Sequence, residues 1–82
     1  MKWTFPHIKI RKTAKQQIEK IAEETEEFLT AKRKHAKDIE AIDVYHAAET
    51  LLRIQFKDRE DQLDEMINEV IDKNRRRNKY YD

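Results

Sequence analysis

Apolar side chains recur at three- and four-residue intervals along most of the chain. Ala14, Ile18, Ile21, Ala22, Phe28 and Leu29, with Thr25 among them, line one stripe of an amphipathic helix predicted over about residues 10–33. Residues 1–9 precede that pattern and are expected to form an extended arm, because Pro6 disfavours helix at Phe5 and itself lacks a backbone donor. A connection is expected within "TAKRKHAKD", with Asp38 as N-cap of a second helix over about 39–57. That helix differs in kind: Ala41, Tyr45, Ala48, Leu52 and Phe56 line one face, and Val44, Ala47, Leu51 and Ile54 line the opposite one. A helix apolar on two faces packs against its own chain and against something more, and in so short a chain a second copy is the natural occupant. A third helix, about 59–77, carries Leu63, Met66, Ile67, Val70 and Ile71 on one stripe. No repeat, low-complexity linker or boundary interrupts the pattern, so residues 1–82 read as a single domain.

Composition sharpens this picture. The chain has no glycine and only one proline among its 82 residues, which removes the usual material for hairpin turns and phosphate-cradling loops and leaves an all-α fold. At 43% charged and 38% hydrophobic, it is lean for a self-sufficient core. A chain of this size buries only about 60% of its unfolded surface. The expected architecture is therefore a three-helix protomer whose helices pair with a second copy into a four-helix-bundle-like core, a homodimer or higher homo-oligomer.

Charge and cysteine content narrow the chemistry. Net charge is +1, so the overall balance gives no argument for nucleic acid or membrane as partner. With no cysteine there is no disulfide framework, thiolate metal site or thiol nucleophile, and cytoplasmic location is the default expectation. No apolar run approaches the roughly 20 residues of a membrane span, and "MKWTFPHIKI" lacks the core of a signal peptide.

The acids are distributed less blandly. "KIAEETEEF" holds Glu23, Glu24, Glu26 and Glu27, of which Glu24 borders the apolar stripe, Glu27 lies further toward solvent, and Glu23 and Glu26 point further away still. Glu24 and Glu27 are three apart, so they sit on adjacent turns of one face. Glu40 and Asp43 repeat the spacing and share a face with Val44, Ala47 and Leu51, an odd place for two acids unless a cation meets them. Glu27 and Glu40 are equidistant from the point between Arg33 and Lys34, as are Glu24 and Asp43. An antiparallel hairpin turning there brings the four carboxylates to matching levels. Together they carry a charge of about −4, unfavourable in a partly buried cleft and cancelled by two divalent cations. Hard oxygen donors select Mg²⁺ or Mn²⁺ over zinc or copper. The ordinary alternative is a solvated acidic face, common wherever charged residues are this abundant.

The order E-x-x-E, twelve residues, then E-x-x-D resembles the signature of the all-α nucleoside triphosphate pyrophosphohydrolases, the MazG-like superfamily that includes phosphoribosyl-ATP pyrophosphohydrolase. "KIAEETEEF" is similar to the first motif helix of that family and "EAIDVYHAAETLL" to the second, and the likeness covers about residues 14–81. The resemblance implies that Glu24, Glu27, Glu40 and Asp43 are catalytic ligands of Mg²⁺ or Mn²⁺. Glu23 and Glu26 are left as candidates for holding or positioning water. The family often closes with a K-N-x-x-R element followed by glycine and aromatics. "KNRRRNKYY" resembles it and implies that Lys73, Asn74 and Arg77 bind substrate phosphates, although here "NKYY" follows Arg77 without a glycine. The implied activity is Mg²⁺-dependent cleavage of a nucleoside triphosphate at the α–β bond to monophosphate and pyrophosphate.

Other polar and aromatic residues carry weaker signals. His46 lies one turn beyond Asp43 and reads first as a packed helix histidine, with His7 and His35 on the surface or in loops. Trp3, Phe5, Tyr80 and Tyr81 either staple the termini onto the core or stack on a base. The competing functional reading is a non-catalytic helical interaction module. In it the acids are a solvated face, and the basic tail, which otherwise complements its own helix dipole, contacts nucleic acid or a protein.

Overall fold

A computed structural model describes residues 1–9 and 11–81, and these form three α-helices and no strand. Helix α1 spans Ala14–Thr30, α2 Lys34–Gln55 and α3 Glu60–Arg76. The expected start of the first helix at Ile10 lies outside the described residues. Residues 11–13 are not helical, and Thr13 supplies the start signal. Its hydroxyl accepts the Gln16 N–H at 3.1 Å while Gln16 Oε1 accepts the Thr13 N–H at 2.9 Å, a reciprocal capping box. "T-A-K-Q" carries that signature in the sequence.

The second helix begins earlier than expected. Asp38 is not its N-cap but lies inside it; Arg33 occupies the cap position and makes no side-chain capping bond. Nothing in "KHAK" resists helix, and with neither glycine nor proline present the link shrinks to residues 31–33. This compresses the hairpin and moves its centre to Lys32. About that centre Gln17 faces Ala47, Phe28 faces Lys37 and Glu24 faces Glu40. Gln17, 3% exposed, donates from Nε2 to the Ala47 carbonyl at 2.8 Å, and the Lys37 ammonium sits 5.2 Å from the Phe28 ring centre. These two contacts fix the antiparallel register of α1 on α2.

The face that α1 turns to α2 is not the apolar stripe of the sequence pattern. Gln17 and Glu24 are its buried residues, with Lys20, Ile21 and Phe28 half-buried, whereas Ile18 and Leu29 are 55% and 64% exposed. On α2, Ile39, Ile42 and Tyr45 are also exposed, and on α3 so are Met66 and Val70. Among the described residues only Ala47, Phe56 and Leu63 are buried hydrophobics. Helix α3 packs closely against neither α1 nor α2. The accessible surface is 7097 Å², against about 5,200 Å² for a compact monomer of this mass. The radius of gyration is 14.8 Å, against about 12 Å for a compact chain of this length. No helix among the described residues is long and apolar enough to cross a membrane.

The N-terminal segment is held by α2. Glu49, 2% exposed, accepts the Thr4 N–H at 3.0 and 3.1 Å and the Phe5 N–H at 2.8 Å. Arg53 donates to the Phe5 carbonyl at 2.6 Å and lies 4.5 Å over the Trp3 ring, and the Thr4 hydroxyl bonds the Tyr45 hydroxyl at 2.6 Å. The Phe5 ring stacks on His46 at 4.3 Å and meets Tyr45 edge-on at 5.4 Å. The segment then reaches α3 through Trp3 Nε1 to Glu60 at 3.1 Å and the terminal amine to Asp64 at 2.7 Å.

Burial pushes the Glu49 carboxyl up, but the Phe5 and Thr4 donors and the Arg53 charge outweigh it and hold it below the ordinary glutamate range. A depressed folded pKa means that this stabilisation is present above the ordinary glutamate value and is lost as pH falls through the folded one. Acidification below that range should therefore release the N-terminal segment, read as a change in emission of Trp3, the only tryptophan. Glu49→Ala, which strands two backbone donors, should cost about 2–4 kcal/mol in chemical denaturation. A variant as stable as the parent at neutral pH would refute the clamp.

Candidate metal centre

The register about Lys32 places Glu24 on α1 opposite Glu40 and Asp43, which lie on successive turns of α2. One carboxylate oxygen from each of the three lies within 4.8 Å of the others. Oxygens on opposite sides of a hard divalent cation bound at 2.1–2.6 Å are about 4–5 Å apart, so the spacing suits such an ion.

Glu24 is 9% exposed, and Lys20 Nζ lies 2.9 Å from its Oε1. The other oxygen, Oε2, is buried with no hydrogen-bond partner, and so is Oε2 of Glu40. Such oxygens are unfavourable unless something positive or protic meets them. The Lys20 hydrogen bond holds the Glu24 carboxyl below the ordinary range, outweighing the upward push of burial. The same bond raises the Lys20 ammonium pKa. A cavity of about 160 Å³ opens beside Glu24 and Asp43, and His46, Gln17, Thr50 and Lys12 also line it.

Glu27 stands at the edge of this group. It is exposed and lies outside the tight trio, because the hairpin turns nearer α1 than the sequence symmetry suggested. It still feels the trio: the charge of Glu24 pushes its pKa up, with desolvation and the charge of Glu40 adding to the effect. Glu23 and Glu26 are exposed and outside the cluster, Glu23 standing 3.8 Å from Lys20. His46 packs under Phe5 and lines the cavity, with Nε2 buried and unpartnered.

Lys73, Asn74 and Arg77 are not brought to the carboxylates within the chain. None of them lines the cavity, and α3 stands apart from the α1–α2 hairpin. Their local role is to end a helix. The Asn74 carbonyl accepts the N–H groups of Arg77 and Lys79 at 3.1 and 3.0 Å, and its amide donates to the Tyr80 hydroxyl at 3.2 Å. Asn78 takes the left-handed conformation (φ 55°) that asparagine tolerates in such a cap. Helix α3 has Glu60 and Asp61 in its first turn and Lys73, Arg75 and Arg76 in its last, the ordinary complement to a helix dipole.

Sequence reasoning missed Glu49, Gln17 and Lys20. Glu49 had a signal: a lone acid in "YHAAETLL" needs a buried partner. Lys20 had one in its four-residue spacing from Glu24. Gln17 had none. Comparison of the chain with protein-family models, curated proteins and solved structures finds no match.

The raised Glu27 pKa has a sign that can be measured. The folded state binds the extra proton, so stability is present at low pH and falls as pH rises from the ordinary glutamate value through the raised one. Glu27→Gln should therefore raise the melting temperature of the metal-free protein at neutral pH. The gain should vanish below pH ~4, where the parent glutamate is itself protonated. A neutral-pH melting temperature unchanged or lowered would count against repulsion within the cluster.

Proposed function

We propose that the chain is a Mg²⁺-dependent (or Mn²⁺-dependent) nucleoside triphosphate pyrophosphohydrolase of the MazG-like type, acting as a homodimer. The observation that carries the reading is the trio Glu24, Glu40 and Asp43, drawn from two helices, with two buried carboxylate oxygens that no protein donor satisfies. Its members stand at three of the four acid positions of the E-x-x-E…E-x-x-D order that the family resemblance rests on.

In this reading Glu24, Glu40 and Asp43 hold the metal, with Glu27 the outer member of the set. The bound cation supplies neutralisation of phosphate charge and a water of lowered pKa. Glu24 would offer the cation its unpartnered Oε2, and the Lys20 ammonium, bonded to Oε1, would be available to a phosphate oxygen. The reaction joins water to one phosphorus of the α–β anhydride, breaks that bridge and releases monophosphate and pyrophosphate. Phosphoryl chemistry of this kind asks the protein mainly for positioning and charge.

Exposed apolar positions on all three helices, together with the excess surface, support a second copy as their cover. Lys73, Asn74 and Arg77 are then offered to the phosphates across the dimer. The competing module reading has the basic tail of α3 in its favour, but the α3 charges are those any helix favours.

Millimolar Mg²⁺ should raise the melting temperature, and the shift should disappear in Glu40→Ala. Pyrophosphate release from a panel of nucleoside triphosphates should fall in Glu40→Ala and Asp43→Ala by more than the 10–100-fold that loss of a ligand's outer partner costs. Undiminished turnover in either variant would sink the assignment. Steeply salt-dependent oligonucleotide binding without pyrophosphate release would favour the module instead. Sedimentation showing only monomer at micromolar concentration would remove the dimer.

A further inference from the structure

A second concavity adjoins the acid cavity and is lined by charge of one sign. It lies between the N-terminal segment and the C-terminal half of α2, has a volume of about 640 Å³, and takes Lys9, Arg11, Lys12, Arg53, Lys57 and His7 into its walls. Among the described residues no carboxylate lines it. Its size is that of a small-molecule site. Ile8 and Lys12 line both spaces, so the basic groove continues the acid cavity at Lys12.

The cations are only partly balanced: Arg53 lowers the pKa of Glu49 by its charge, and Arg11 and Lys12 share a further concavity with Glu19 and Glu23. Ion pairs among the described residues involve the terminal amine and Lys20, and none of Lys9, Arg11, Lys12, Arg53 or Lys57. Arg53 spends one donor on the Phe5 carbonyl and its face on Trp3. The first turn of α1 holds no acid; Arg11 and Lys12 precede it and Lys15 lies within it. A helix N-terminus already carries partial positive charge and ordinarily attracts carboxylates, as α3 does with Glu60 and Asp61. Cations at the start of α1 oppose that preference. An anion bearing several charges would suit such a grouping.

We infer that this groove binds the polyphosphate chain of a nucleotide, with Lys9, Arg11, Lys12 and Lys57 as its anion ligands. This gives one protomer its own phosphate-binding cations, which the tail of α3 does not provide. A nucleotide lying in it passes its phosphates along Lys12 toward Glu24 and Asp43. The identity of the ligand as a nucleotide substrate rests on the pyrophosphohydrolase reading; the affinity of the groove for polyphosphate does not.

Inorganic tripolyphosphate is the probe, titrated into the full chain in EDTA at low salt by calorimetry and by Trp3 emission, which Arg53 reports from the groove wall. Saturable binding is expected. The triple variant Lys9→Glu, Arg11→Glu, Lys57→Glu, all at exposed positions, should weaken it at least about tenfold. The corresponding triple alanine variant should weaken it less. Both should keep the parent's helical signal and Mg²⁺ stabilisation, while Glu40→Ala should bind tripolyphosphate as the parent does. Equal affinity in the parent and the charge-reversed variant overturns the inference, as does loss of binding in Glu40→Ala. A single-stranded oligonucleotide that binds more tightly than tripolyphosphate overturns the assignment to a nucleotide. Failure of the Mg²⁺ shift or of pyrophosphate release, with tripolyphosphate binding intact, removes the catalytic reading and leaves the groove.

Discussion

The Glu49 carboxylate is the contact on which the N-terminal half of the architecture depends. It lies almost wholly out of water and is satisfied by the backbone of a segment with no regular structure of its own. A buried carboxylate without such donors would be strongly unfavourable, and a segment without such an acceptor would have little reason to stay. Each makes the other tenable. Because Phe5 follows Thr4 into that grip, its ring lands on His46, and Ile8 and Lys12 are carried to the mouth of the acid cavity. Trp3 and the terminal amine then reach the first turns of α3, which otherwise meets little of the hairpin. One side chain in the middle of α2 thereby ties three parts of the chain together.

The hydrophobic pattern predicted the helices well and their packing poorly. Periodicity alone locates α1, α2 and α3, and the absent glycines exclude most alternatives. What periodicity could not show is which side of each helix its own chain would cover. The face of α1 turned to α2 is led by two polar residues, Gln17 bonded to a carbonyl and Glu24 paired with an ammonium at one oxygen only, while Ile18 and Leu29 look outward. Apolar stripes report that burial is needed, not what supplies it. The start of α2 was misplaced for a related reason: Asp38 is a good cap, but a cap matters only where something stops the helix from extending past it.

The acid constellation was legible because it depends on spacing within helices and on a hairpin, both of which helix geometry dictates. Three of the four carboxylates, Glu24, Glu40 and Asp43, meet, with Glu24 level with Glu40 rather than with Asp43 as the sequence symmetry implied. Glu27 drifts to the rim because a shift of the turn by about one residue rotates a helix position by about 100° relative to its neighbour. The basic residues were harder to place. The tail "KNRRRNK" draws the eye as a run, yet a run at a helix end serves that helix first. The cations of the groove are scattered between positions 9 and 57 and are gathered only by the fold.

The Lys20–Glu24 pair leaves the acid cluster partly neutralised by the chain's own ammonium. In the proposed reading a cation at Glu24 would meet the unpartnered Oε2 while an ammonium stands 2.9 Å from Oε1 of the same carboxylate. A monovalent ion brings no more charge than that ammonium and surrenders its own hydration, so it gains little there. A divalent ion brings twice the charge and also meets the unpartnered oxygens of Glu24 and Glu40. If the cluster holds a metal as proposed, a lysine one helical turn away would weigh against the abundant monovalent ions before the size or geometry of the ion enters.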